Sequence, residues 1–182
     1  MSDCFLFDRC NHIDCDKPFC QRRYKLEILF KEALIPDTLR AKQVLNIDAN
    51  GTDLEAFKQL AALEKDIESF VKNGINLYLW SYNCGNGKTS WSIRLLQAYL
   101  HKIWPTAPLG CKALFISVPK FLSAIKENLS SKNDYAEHIL NNVMKADLVI
   151  WDDIGTKPGT SFEINKLLEI LDYRLAYRKS NI

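Results

Sequence analysis

The sequence predicts an α/β fold, a parallel sheet flanked by helices, preceded by a small cysteine-rich segment. Three observations carry that expectation. Short apolar runs alternate with amphipathic helical patterns along most of the chain; a turn holding Gly85 and Gly87 joins one such run to a helical pattern; and another run ends in the carboxylates Asp152 and Asp153. Strands that alternate with helices assemble into parallel sheets covered on both faces. Composition is consistent with this, since 182 residues with 47% hydrophobic and 25% charged side chains suffice for one core. No apolar run approaches the roughly 20 residues of a membrane span. Cys4, Asp8, Arg9 and Cys10 stand where a signal peptide carries a clean apolar stretch, so the expectation is a soluble, intracellular protein. Lys and Arg number 24 against 22 Asp and Glu, and the net charge of +2 excludes a global polyanion-binding surface and leaves any DNA contact local.

The elements follow in order. Cys4, Cys10, Cys15 and Cys20 crowd the first twenty residues, whereas Cys84 and Cys111 stand alone. This break divides the chain into a cysteine-rich segment 1–35, a linker 36–51 and a core 52–182. Tyr24, Leu26, Ile28, Leu29, Ala33 and Leu34 predict a short helix from about Arg22, closed by Pro36. Thr52 and Glu55 form a capping box for one long helix carrying Leu54, Phe57, Leu60, Ala61, Ile67, Phe70 and Val71, with Gly74 as its C-terminal cap. Residues 75–81 read as a strand, 88–101 as a helix and 113–118 as a second buried strand. Pro119 opens a further helix, 135–144 reads as another, and 147–151 as a third strand. Thr160 and Glu163 cap a last helix with Ile164, Leu167, Leu168, Leu171 and Leu175, after which 180–182 begins another strand. The isolated His101, His138, Trp91, Trp104 and Cys111 read as packing or surface positions.

Chemistry concentrates in two places. The run Trp80-Ser81-Tyr82-Asn83-Cys84-Gly85-Asn86-Gly87-Lys88-Thr89 has the form of a Walker A phosphate loop, because Gly87-Lys88-Thr89 follows a predicted strand and opens a predicted helix. Glycines at 85 and 87 let successive N–H groups aim at a phosphate on the helix N-terminus, where the macrodipole also favours negative charge. Asn83, Cys84, Gly85, Asn86, Gly87, Lys88, Thr89 and Ser90 are thus the expected nucleotide-binding residues, with Lys88 as a point charge for the β and γ phosphates and the Thr89 hydroxyl as a Mg²⁺ ligand. Tyr82 departs from the signature, standing where its first glycine belongs. Leu148-Val149-Ile150-Trp151-Asp152-Asp153 has the form of a Walker B strand. Asp152 would reach the Mg²⁺ held by Thr89, and Asp153 would orient and deprotonate the attacking water, making Lys88, Asp152 and Asp153 the catalytic candidates.

The cysteine head offers five ligands, Cys4, Cys10, Cys15, Cys20 and His12, for a tetrahedral site that takes four. Zinc (Zn²⁺) suits it, with the four cysteines as ligands and His12 as substitute for one. Twenty residues cannot build a core of their own, so the metal would supply folding free energy. Arg22, Arg23 and Lys25 follow at once and would face solvent, DNA or a partner protein.

The cysteine head, Ala33-Leu34-Ile35-Pro36, the long helix and Leu77-Tyr78-Leu79-Trp80 running into Gly85-Asn86-Gly87-Lys88-Thr89 together resemble the bacterial and phage DnaC/DnaI helicase loaders. Val149 to Gly155 looks like that family's Walker B stretch, and Leu168 to Arg174 is similar to its helix before the sensor strand. The resemblance spans nearly the whole chain and implies a P-loop NTPase of the AAA+/ASCE kind, in the initiator clade, using ATP and Mg²⁺. It further implies a protein of the bacterial host cytoplasm that binds the replicative DNA helicase through a zinc-bearing N-terminal part, places it on single-stranded DNA, makes no membrane contact and self-associates through its core. The two helices between Pro119 and Lys145 would suit the extra helix of initiator-type members. Asp153 stands where many AAA+ proteins have glutamate. Only 94 residues follow Lys88, so the family's sensor asparagine, arginine finger and helical lid are expected beyond Ile182, with weak nucleotide binding and poor hydrolysis by this chain. Two rival readings are a transposase-helper ATPase of the IstB type, which would not need the cysteine head, and a zinc adaptor whose NTPase core is inactive.

Overall fold

Alternation along two strands decides the architecture. In the computed structural model, which describes residues 18–40, 53–82, 85–156 and 158–182 (side chains of 18–20 and 53 excepted), β1 (Ala113–Ser117) pairs in parallel with β2 (Leu148–Asp152). β3 (Ser180–Asn181) pairs in parallel with the other edge of β2, so the order is β1-β2-β3. Successive side chains point to opposite faces, and every strand residue from Ala113 to Ile116 and from Leu148 to Trp151 is buried. Ala113, Phe115, Leu148 and Ile150 pack with α1 (Pro18–Glu32), α3 (Ile67–Lys72) and α4 (Lys88–Ile103). Leu114, Ile116, Val149 and Trp151 pack on the other side with α5 (Val118–Asn128), α6 (Asp134–Asn142) and α7 (Ser161–Ala176). None of the described helices is long and apolar enough to cross a membrane.

Helix α1 starts earlier than Arg22, at Pro18, since a proline at the first helical position gives up an N–H that has no helical acceptor. It ends in a Schellman turn: Leu34 N–H donates to Lys31 O, Ile35 N–H donates to Phe30 O, and Leu34 takes a φ of 57°. The turn leaves Ala33 O to accept from Phe115 N at 2.8 Å, covering the free edge of β1. Leu29, Ala33 and Ile35 sit in one core with Ile93, Leu96 and Phe115. The boundary expected at residue 35 therefore does not separate two packing units among the described residues.

The single helix expected from 52 to 74 is two helices. α2 (Asp53–Lys65) stops at Asp66, whose φ of −109° and ψ of 23° leave the helical region, and α3 restarts with Ile67, Phe70 and Val71 buried. Ile67, Phe70 and Val71 of α3 pack in the same core as Leu29, Ile93 and Tyr99. Thr52 of the expected capping box lies outside the described residues. Gly74 ends α3 at a φ of 65°, and a Cβ built there would overlap the backbone oxygen of Arg178. Gly74→Ala is therefore expected to lower stability by about 2 kcal/mol or more in urea titrations, because strain and overlap with backbone add; an unchanged midpoint would contradict this packing.

Two further expectations change. Residues 75–81 form no strand; among the described residues one backbone bond, Leu77 N to Asn181 O at 2.9 Å, joins them to β3. Helix α7 has its expected capping box, Thr160 Oγ1 accepting from Glu163 N and the Glu163 carboxylate accepting from Thr160 N. Its inward face joins the buried Ile170 and Arg174 to the expected Leu167 and Leu171, which pack partly buried against the same core, whereas Ile164, Leu168 and Leu175 are exposed. Arg174, at 0% exposure, takes the core position that a count of leucines assigns elsewhere.

Candidate functional site

The C-terminal ends of the strands meet the N-terminus of α4, where an open sheet places its ligands. The stem 75–81 descends beside β3, and the chain then turns through Gly85 (φ 81°) and Gly87 (φ 77°) into α4. Both glycines are left-handed, a conformation that costs other residues about 1 kcal/mol or more. Gly87 holds the N-cap position, and among the described residues no side chain caps this 16-residue helix, unlike α6 and α7, which Asn133 and Thr160 cap. The first-turn amides of α4 are thus directed at the cleft side with the positive end of the helix dipole.

Lys88 and Thr89 occupy the first two positions of α4. Lys88 Nζ donates to Ser81 Oγ at 2.8 Å, which folds the ammonium back over the turn. Thr89 Oγ1 donates to Asp152 Oδ1 at 2.8 Å, joining residues 63 positions apart. Burial pushes the Asp152 carboxyl above its usual range; the Thr89 hydrogen bond opposes this, the Asp153 charge adds to it and the Lys88 charge opposes it. Asp153 follows at a φ of 60° in a tight turn, where its carbonyl accepts from Thr156 Oγ1 at 2.9 Å. Asp and Asn tolerate that conformation better than most residues.

A cleft of about 450 Å³ opens over these groups, lined by Ser81, Lys88, Thr89, Asp152, Asp153 and Thr156 among others. Its size is that of a small-molecule site. Trp80, which also lines it, meets the Tyr82 ring edge to face, 4.8 Å between centroids. Of the expected phosphate-loop residues, Gly85, Asn86, Gly87, Lys88, Thr89 and Ser90 are described, and Asn83 and Cys84 lie outside the described residues. Cys4, Cys10, His12 and Cys15 lie outside them as well, and of Cys20 the structure describes the backbone in α1. Among the described residues no group of three or more His, Cys, Asp or Glu side chains is placed to hold a metal.

Sequence reasoning missed Ser81 and the polar groups beneath the cleft. Asn181 Oδ1 accepts from Trp151 Nε1 at 3.0 Å and from Arg174 Nε at 2.7 Å. An asparagine between Ser180 and Ile182 reads as a strand start, and nothing in its spacing points to residues 151 and 174. The isolated residues serve packing: Trp91 is buried under Arg94, 5.1 Å from its ring, and burial pushes the Cys111 thiol up to about 12.

Over 129 residues, 69% of this chain, the sequence is 26% identical to the replicative helicase loader DnaC of Escherichia coli strain K12, and the same figures hold for the protein of that name from Shigella flexneri. The chain spans about half, 49%, of the length of these curated relatives. No family model matches the chain.

Proposed function

We propose that this chain is an ATP-binding and ATP-hydrolysing protein of DNA replication, built on a P-loop AAA+ core, that loads the replicative helicase onto single-stranded DNA. The observation that supports it most is the hydrogen bond from Thr89 to Asp152, because it brings the hydroxyl of the glycine turn and the carboxylate of an apolar strand to one point beside Lys88. The distant similarity to DnaC loaders supports the same reading.

The donor set fits the groups the reading requires. A hydroxyl and a carboxylate 2.8 Å apart are hard oxygen ligands of the kind Mg²⁺ takes, directly or through water. Bound there, Mg²⁺ would neutralise charge on the phosphate oxygens of ATP. Gly85, Asn86, Gly87 and the first turn of α4 direct N–H groups at phosphate, and Lys88 exchanges Ser81 for a phosphate oxygen. Asp153, lining the same cleft, orients the attacking water and takes its proton at the carboxylate. Asn83 and Cys84 complete the loop, and the protein works in the cytoplasm, self-associating through this core.

For the cysteine head, Cys4, Cys10, Cys15 and Cys20, with His12 as the alternative to one of them, would hold one Zn²⁺ and engage the helicase. Elemental analysis of chain purified without added metal is expected to give one zinc per molecule; none would remove the head from the account and favour the IstB-type reading. The loader reading is tested with a bacterial replicative helicase: the chain is expected to co-elute with the hexamer and to promote its placement on single-stranded DNA with Mg·ATP. Lys88→Ala is expected to abolish placement. Full placement by that variant would leave an adaptor with an idle nucleotide core.

A further inference from the structure

We propose that Asn76 and Asn181 are positioning residues for the nucleotide site, forming a side-chain amide bridge that holds the stem of the glycine turn in register with the strand bearing Asp152. The inference rests on the nucleotide reading above and identifies what keeps the two halves of that site together. Lys88 and Thr89 follow the stem 75–81, Asp152 ends β2, and β3 lies between them. Among the described residues, Leu77 N to Asn181 O at 2.9 Å is the one backbone bond between the stem and β3.

A side chain takes the next ladder position. Asn181 N donates to Asn76 Oδ1 at 2.9 Å, and Asn181 Nδ2 donates to the same oxygen at 2.7 Å. The rest of the Asn181 amide faces the other way. Its second Nδ2 hydrogen goes to Lys179 O at 2.9 Å, and Oδ1 accepts from Arg174 Nε and from Trp151 Nε1, one residue before Asp152. Both hydrogens and both lone pairs are therefore in use, which fixes one orientation of the amide. Sliding the stem along β3 by one residue would break both bonds to Asn76 and leave their donors without an acceptor in a half-buried site. Both asparagines line the cleft. The bridge thus runs from the stem through Asn181 to the residue beside the Asp152 carboxylate, and the approach of Thr89 to Asp152 depends on that register.

The test compares dissociation constants of ADP with and without Mg²⁺, measured by calorimetry on the intact chain and on variants of Asn76, whose side chain is exposed enough to change without emptying the core. Asn76→Leu removes the shared acceptor. Asn76→Asp keeps it and gives up one long bond, Nδ2 to Gly74 O at 3.3 Å. Loss of folded protein alone changes both constants by the same factor and leaves their ratio untouched, so the ratio isolates positioning from stability. The factor by which Mg²⁺ tightens ADP is expected to fall about tenfold in Asn76→Leu, in keeping with the cost of misplacements near an ångström, and to return with Asn76→Asp. Asn76→Ser, too short to reach Asn181, carries the same expectation as the leucine. A wild-type ratio in both Asn76→Leu and Asn76→Ser, or a failed return in Asn76→Asp, overturns the bridge alone. Absence of ADP binding by the unaltered chain overturns the nucleotide reading and this inference with it.

Discussion

Arg174→Met is expected to lower the stability of the chain by about 3 kcal/mol or more, the largest effect of any single change considered. The guanidinium is fully buried, and among the described residues no carboxylate is bonded to it. It is held by oxygen atoms instead: Nη1 donates to Val143 O and Ala146 O, Nη2 to Ser180 O at 2.6 Å, and Nε to Asn181 Oδ1 at 2.7 Å. Val143 caps the C-terminus of α6, so the cation also sits at the negative end of that helix. Burial still pushes the Arg174 pKa down to about 10, with the charge of Asp147 opposing the shift. Methionine fills much of the volume but leaves three backbone carbonyls without their donor, each costing about 1–3 kcal/mol less whatever water recovers. Arg174→Lys should rescue little, because one ammonium cannot reach acceptors arranged for a planar fork. Urea unfolding of the two variants checks this. A loss under about 1 kcal/mol for methionine would show that the carbonyls find other donors.

Lys88→Ala is expected to weaken Mg·ATP binding by roughly 30- to 150-fold, the equivalent of about 2–3 kcal/mol for a charge-assisted contact to phosphate. The fold should be untouched, since the ammonium bonds at the half-buried cleft edge to Ser81 rather than within the core. Calorimetric titration, with the unfolding midpoint as control, separates these effects. Unchanged affinity at an unchanged midpoint would remove Lys88 from the site.

Much of this was legible in the sequence because it rests on local signals. The buried strands announce themselves as continuous apolar runs, and Thr160 with Glu163 places the start of α7 by capping chemistry alone. Lys88, Thr89 and Asp152 stand out because each is fixed by its own strand or helix end. The failures share a cause: they depend on partners distant in the chain. Residues 75–81 look like a strand by composition, yet among the described residues one backbone bond, from Leu77 N to Asn181 O, joins them to β3. Helix α7 looks apolar along Ile164, Leu168 and Leu175, while a charged residue, Arg174, goes inward because acceptors from α6 and β3 surround it. Asn181 has no signature at all, since its role exists only once Trp151, Arg174 and Asn76 have converged on it.

In the proposed function, Lys88, Thr89 and Asp152 hold one Mg²⁺-bound nucleotide between them. A crystal structure of the chain with Mg²⁺ and a non-hydrolysable ATP analogue tests it most directly. Phosphates are expected on the amides of Gly85 to Thr89, with Lys88 Nζ moved from Ser81 to a phosphate oxygen and the metal between Thr89 Oγ1 and the Asp152 carboxylate. Nucleotide bound elsewhere on the chain, or a metal that touches neither Thr89 nor the shell around Asp152, would contradict it.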